Sequence, residues 1–164
     1  MTKYYGSLTN RIEENKVFGK EIVVGMGATE FGWSDRHAYE VTRVVDQKHV
    51  FIRKVKATRI DENGMSDCQD YKYESDPTAR EIELVQRNGG WYEVNEITKE
   101  LWINRANKMI KDFRTFEVAY NYIRGMSVLT ANQKERVEEG KSVKRYNKMD
   151  VSFGIQEEYF DYSF

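Results

Sequence analysis

The chain has one cysteine, one proline and two histidines in 164 residues. A lone cysteine, Cys68, excludes an intramolecular disulfide, so a reducing cytosolic setting is expected. A lone proline, Pro77, excludes a proline-rich linker. No apolar run approaches the roughly 20 residues of a membrane helix, and Met1-Thr-Lys-Tyr-Tyr-Gly6 lacks the apolar stretch of a secretion signal. A cytoplasmic protein without membrane contact is the expectation. His37 and His49 stand without a second ligand at helical or hairpin spacing, and one cysteine cannot complete a zinc site with them. Cys68 lies among Ser66-Asp67-Cys68-Gln69-Asp70, where neighbouring carboxylates raise a thiol pKa, the wrong direction for a nucleophile. Gly25-Met-Gly27 lacks the Lys and Ser/Thr of a phosphate loop and the third glycine of a dinucleotide fingerprint. Asp61, Asn63 and Gly64 match part of a calcium loop, but Arg59 stands at the first ligand position and Asp70 replaces the terminal Glu. No catalytic constellation, metal site or cofactor motif can be assembled, so a binding protein and not an enzyme is expected.

What the chain has is aromatic and charged residues. Eleven Tyr, eight Phe and three Trp accompany 32% charged residues. This is too aromatic for a disordered chain and long enough to bury a core without staples. The near-neutral total of -1 hides an uneven spread. Residues 60–97 carry three Lys/Arg against ten Asp/Glu, and residues 98–149 carry twelve against six. Such asymmetry either steers a partner or is spent within the fold by attraction between the two segments.

Periodicity assigns the elements. Residues 7–16 read as a short helix with Leu8 and Ile12 on one face. Strand-like segments are expected at Glu21–Val24, at Tyr39–Val45 with Tyr39, Val41, Arg43 and Val45 on one face, at His49–Val55, at Tyr71–Tyr73, and at Arg80–Arg87 and Trp91–Val94 around Asn88-Gly-Gly90. Gly25 and Gly27 are expected to open a long loop through Trp33 and Asp35. Thr98, Thr115 and Thr130 are expected helix caps. The first of these helices carries the apolar stripe Trp102, Ala106, Met109 or Ile110, and Phe113. Strand chemistry returns at Val151–Ile155 and Tyr159–Phe164. The expected fold is α+β: a small SH3-like antiparallel barrel or curled sheet (residues 1–97 and 150–164) with an N-terminal helix and a helical insertion (98–149).

Binding residues are sought among three features. Trp33-Ser34-Asp35-Arg36 reads first as a barrel plug, Trp33 filling the end while Asp35 makes an Asx turn and Arg36 pairs with a carboxylate. Its other reading is an aromatic anchor flanked by charge. Arg105, Lys108 and Lys111 sit three apart on a helix, suited to phosphates or an acidic protein face. Lys144 and Arg145, with Tyr146 interleaved, suit RNA. In the acidic segment, Asp67 and Asp70 belong to a solvated loop whose charge can mimic DNA phosphates. The helices from 115 to 139 are joined by Gly125–Thr130, a connection longer than a helix-turn-helix prefers.

Several strings are familiar together: Tyr5-Gly-Ser-Leu-Thr-Asn-Arg11, Trp33-Ser-Asp-Arg36, Asn63-Gly-Met-Ser-Asp67, Gln69-Asp-Tyr71 and Tyr159-Phe-Asp-Tyr-Ser-Phe164. With these the chain resembles small accessory proteins of bacteriophages and mobile elements of Firmicutes. The resemblance spans about residues 4–97 and 151–164, and residues 98–149 depart from it. It implies a counter-defence role, with inhibitors of CRISPR effectors, Cas9 above all, as the subgroup, and a defence nuclease with or without guide RNA as partner. It transfers no active-site residue. A nucleic-acid-binding accessory protein using the basic helices is the alternative.

Overall fold

The computed structural model describes residues 21–162; the helix expected at 7–16 lies outside them. In chain order the strands are Gly27–Phe31 (β1), Arg36–Asp46 (β2), His49–Lys54 (β3), Lys56–Arg59 (β4), Tyr71–Glu74 (β5), Glu81–Arg87 (β6), Gly90–Ile97 (β7), Val143–Met149 (β8) and Val151–Phe153 (β9). Three helices, Lys99–Phe113 (α1), Phe116–Met126 (α2) and Ala131–Glu138 (α3), lie between β7 and β8. The fold is mixed α+β. The chain divides into two compact units, Val94–Tyr146 forming one and the residues before and after it the other. Strands β7 and β8 carry the chain across that division.

Seven strands make one curled antiparallel sheet in the order β8-β7-β6-β3-β2-β1-β9, while β4 and β5 pair separately. Its two edges, β8 and β9, are consecutive in the chain with Asp150 alone between them. A single bent run thus supplies both edges, and the sheet must curl to bring them together. The Asp150 carbonyl accepts the Phe31 N–H at 2.8 Å, so β1 stays paired through the bend. Met149 and Val151, on either side of the bend, both enter the core with Tyr39, Val41, Val50, Ile52, Leu84 and Trp91. The inward alternation of β2 holds through Tyr39 and Val41 and then slips: a register shift between Val41 and Arg43 adds a residue. Past such a bulge the pleat reverses. Val44 therefore packs against the core, and Val45, which strict alternation places beside Val41, is exposed.

Two other expectations change near the start. Glu21–Val24 is not a strand. The Gln47 side chain takes up its backbone, accepting the Ile22 N–H at 2.7 Å and donating to the Ile22 carbonyl at 3.1 Å. The first strand begins instead at Gly27, and the expected long loop contracts to the turn Gly32–Asp35, closed by the Gly32 N–H on the Asp35 carbonyl at 2.8 Å. Asn88-Gly89 turns the β6–β7 hairpin within the expected Asn88-Gly-Gly90, and Gln47-Lys48 turns the β2–β3 hairpin.

In the helical unit, the Thr98, Thr115 and Thr130 hydroxyls accept the N–H groups of Leu101, Val118 and Gln133. Gln133 returns the bond to the Thr130 N–H, completing a capping box. Trp102, Leu129, Val137 and Val143 form the unit's core, with Ile97, Tyr120 and Ile123 against it. Residues 143–149 fall within the expected helical insertion but form strand β8.

Two glycines predict opposite outcomes. A Cβ on Gly27 would stand 2.8 Å from the Gln156 Cβ, because the chain after β9 lies directly on β1. Gly27→Ala is expected to cost about 1–3 kcal/mol. Gly125, inside α2, has open space around it, and Gly125→Ala is expected to stabilise by about 0.5–1 kcal/mol. Urea unfolding midpoints of both variants check the signs.

Candidate functional site

Residues 155–162 follow β9 as an irregular strap with one isolated bridge, Arg36 to Tyr159. A strap without ladder partners must satisfy its polar groups from side chains, and two regions supply most of its bonds. From β2 and the turn before it, Arg36 Nη1 donates to Glu157 Oε2 at 2.6 Å, the Ala38 N–H donates to Glu158 Oε2 at 2.8 Å, and Asp35 Oδ1 accepts the Asp161 N–H at 2.9 Å. His37 Nδ1 lies 3.1 Å from Glu158 Oε1. From the β4–β5 region, Gln69, only 5% exposed, clamps Phe160 twice. It donates to the Phe160 carbonyl at 2.6 Å and accepts its N–H at 3.1 Å. Tyr159 donates to Asp67 Oδ1 at 3.0 Å, and Arg59 donates to the Tyr162 hydroxyl at 2.8 Å. Burial together with the Asp67 carboxylate pushes the Tyr159 phenol up to about 12, so it remains a donor at neutral pH.

The loop that presents Asp67 and Gln69 is built on one carboxylate. Asp61 takes a bidentate pair from Arg59 at 2.8 Å and the N–H groups of Asn63 and Asp70 at 2.9 and 2.8 Å. The Arg59 guanidinium, helped by the Asp70 and Asn63 amides, holds the Asp61 carboxyl far below the usual carboxylate range. Gly64 turns the loop at φ +61°, a conformation that favours glycine. A cleft of about 160 Å³ between loop and strap is lined by Arg36, Asp70, Tyr71, Tyr73, Glu158 and Tyr159, among others.

These bonds bring together strings that lie far apart in the chain: 33–36, 63–71 and 159–162. They also divide the expected site residues by role. Asp35 and Arg36 hold the strap, through the Asp161 N–H and the Glu157 carboxylate. Trp33 does not plug the barrel. It is 98% exposed, on a closed two-residue turn tip with no ring or hydrogen-bond partner among the described residues. Asp67 and Asp70 are both exposed. Asp67 keeps one oxygen on Tyr159, while the Asp70 side chain has no partner among the described residues. Sequence reasoning missed Phe160, 49% exposed, and Met65, 74% exposed, which add apolar surface to this face. It also missed the Gln69 clamp; the one signal was an amide between Cys68 and Asp70 in a charged loop.

The remaining expected residues lie in or beside the helices. Arg105, Lys108 and Lys111 are exposed on α1 and have no ion-pair partner among the described residues. Lys144 and Arg145 are exposed but adjacent on β8, so the pleat sends them to opposite faces and they do not form one patch. The acidic segment takes its partners close by: Glu81 from Arg43 and Arg53, Glu83 from His49, and Glu93 from Arg80. Among the described residues no group of His, Cys, Asp or Glu has metal-binding geometry, and no helix is long and apolar enough to cross a membrane. No protein-family model, curated protein or solved structure matches this chain.

Because the folded Asp61 carboxyl titrates below its ordinary value, its pairing contributes fully above the usual carboxylate range and is lost as pH falls towards the depressed value. Asp61→Asn is expected to lower the melting temperature at neutral pH, with the gap to the parent protein closing below about pH 4. Thermal unfolding followed across pH by circular dichroism reads this, and an unchanged gap in strong acid would overturn it.

Proposed function

We propose that this protein is a binding protein that docks a macromolecular partner on the Trp33–Phe160 face. Its partner is a bacterial defence nuclease in the host cytoplasm, a CRISPR-Cas9 effector with or without guide RNA, which it inhibits. The observation that carries the reading is the exposed indole of Trp33 on a turn held rigid by the strap. A turn backbone already tied by hydrogen bonds needs little further ordering on binding, and aromatic side chains dominate binding energy at interfaces. The strap bonded to that turn carries Phe160, and the loop that clamps the strap carries Met65 and the carboxylates of Asp67 and Asp70. This acidic and aromatic composition suits a positively charged channel built for nucleic acid. The resemblance to accessory proteins of phages and mobile elements supports the choice of partner, since those of its strings that fall among the described residues lie in this turn, loop and strap. On this reading the curled sheet is an SH3-like barrel, closed by the β8–β9 run and carrying the helices as an insertion.

The test is cleavage of target DNA by guide-loaded Cas9 from Firmicutes, with and without the protein. Inhibition is expected. Trp33→Ala should weaken it about thirtyfold, the roughly 2 kcal/mol of a hot-spot aromatic, with the melting temperature unchanged. Full cleavage in the presence of excess protein, with no complex on size exclusion with Cas9 alone or guide-loaded, would sink the proposal.

A further inference from the structure

The helical unit carries a second surface that the Trp33 face does not explain. On α1, Arg105, Lys108 and Lys111 follow one another at three-residue spacing, with Asn104 before the first, Asn107 between the first two and Arg114 at the cap, and all six are exposed. At 3.6 residues per turn this row winds across the side of the helix away from buried Trp102 and Ala106. Elsewhere in the unit Lys99 and Arg124 hold Glu138, and Lys141 holds Glu139, while Lys134 donates to the Gly125 carbonyl. Arg105, Lys108, Lys111 and Arg114 have no carboxylate partner among the described residues. Asp112, exposed and four residues after Lys108, is the one opposing charge within the row, and Glu100 stands at its N-terminal end.

We propose that α1 is a duplex-DNA-binding helix, its Arg105–Lys108–Lys111 face set against the phosphate backbone. Charge complementarity selects a polyanion, and the chemistry of the face selects a duplex. Binding of single strands needs aromatic platforms for unstacked bases, and this face offers none: Trp102 is buried, and the Phe113 ring packs on Tyr122 at 4.6 Å. A B-form major groove, about 12 Å wide, admits an α-helix, and Arg, Lys and Asn are the side chains that meet guanine and adenine edges there. The A-form major groove of duplex RNA is too deep and narrow for this.

The probe is a short fluorescent DNA duplex, titrated with the full-length protein by anisotropy at several salt concentrations and without any nuclease. Expected is binding whose log K falls with log salt at a slope of about -3, as for three neutralised phosphates. Lys108→Ala should reduce that slope by about 1, and the triple change R105E, K108E and K111E should abolish binding with helicity unchanged. Asp112→Asn should tighten binding, a gain that misfolding cannot mimic. Trp33→Ala should bind DNA like the parent protein, so failure here and failure of the nuclease proposal are read separately. No binding at low salt, binding indifferent to the triple change, or preference for single-stranded DNA or for RNA would overturn the assignment.

Discussion

The architecture of the sheet depends on one covalent constraint: a single residue, Asp150, joins its two edge strands. Open sheet edges expose unpaired backbone and invite pairing with other chains. Here β8 completes one edge against β7, and β9 completes the other against β1. A chain that turns from one edge to the other within one residue can do so only if the sheet curls. The curl in turn creates the interior that Trp91, Met149 and Phe153 help to fill, the Trp91 and Phe153 rings meeting edge-on at 5.0 Å.

The strap that follows inherits its course from that closure. Leaving β9 beside β1, it passes over Gly27 and then along β2. It reaches the loop between β4 and β5, where Gln69 and Asp67 meet Phe160 and Tyr159. Polar side chains stand in for a ladder along its length, and several are largely buried, with Arg36 and Glu157 at 16% and 15% side-chain exposure. A buried charge needs its partner, because an orphaned one costs far more than the pair contributes. Asp35, Arg36, Asp61 and Gln69 are therefore framework, and they free Trp33, Phe160, Met65 and Asp70 to face outward.

Charge is handled differently in the two units. Much of the acidic segment's charge is met locally: Asp61 by Arg59, Glu81 by Arg43 and Arg53, and Glu93 by Arg80. A strongly negative stretch of sequence therefore yields a smaller acidic face, around Asp67 and Asp70. On α1 the reverse holds, and a row of cations keeps its charge for solvent or a ligand. Surface ion pairs contribute little to stability, so leaving these cations unpaired costs the fold little.

The local grammar of the chain was legible in its residues. Hydrophobic period and turn chemistry placed the strands from 39 to 94 except β4, and the threonine caps placed the three helices from 99 to 138, because these signals act over a few neighbouring residues. Trp33, Asp67, Asp70 and the α1 row were also visible as candidates. Their roles were not. Trp33 protrudes from a short turn between β1 and β2, and that turn is set by the pairing of those two strands. The bulge that turns Val45 outward, the split of Lys144 from Arg145 on a strand, and the Gln69 clamp across 91 residues follow from pairings between distant segments. Sequence by itself determined which segments become strands and helices and which residue types are on offer. Tertiary structure alone decided which charges are spent and which face outward, because a side chain's partner is set by the strand or strap brought beside it, and no local pattern encodes that neighbour.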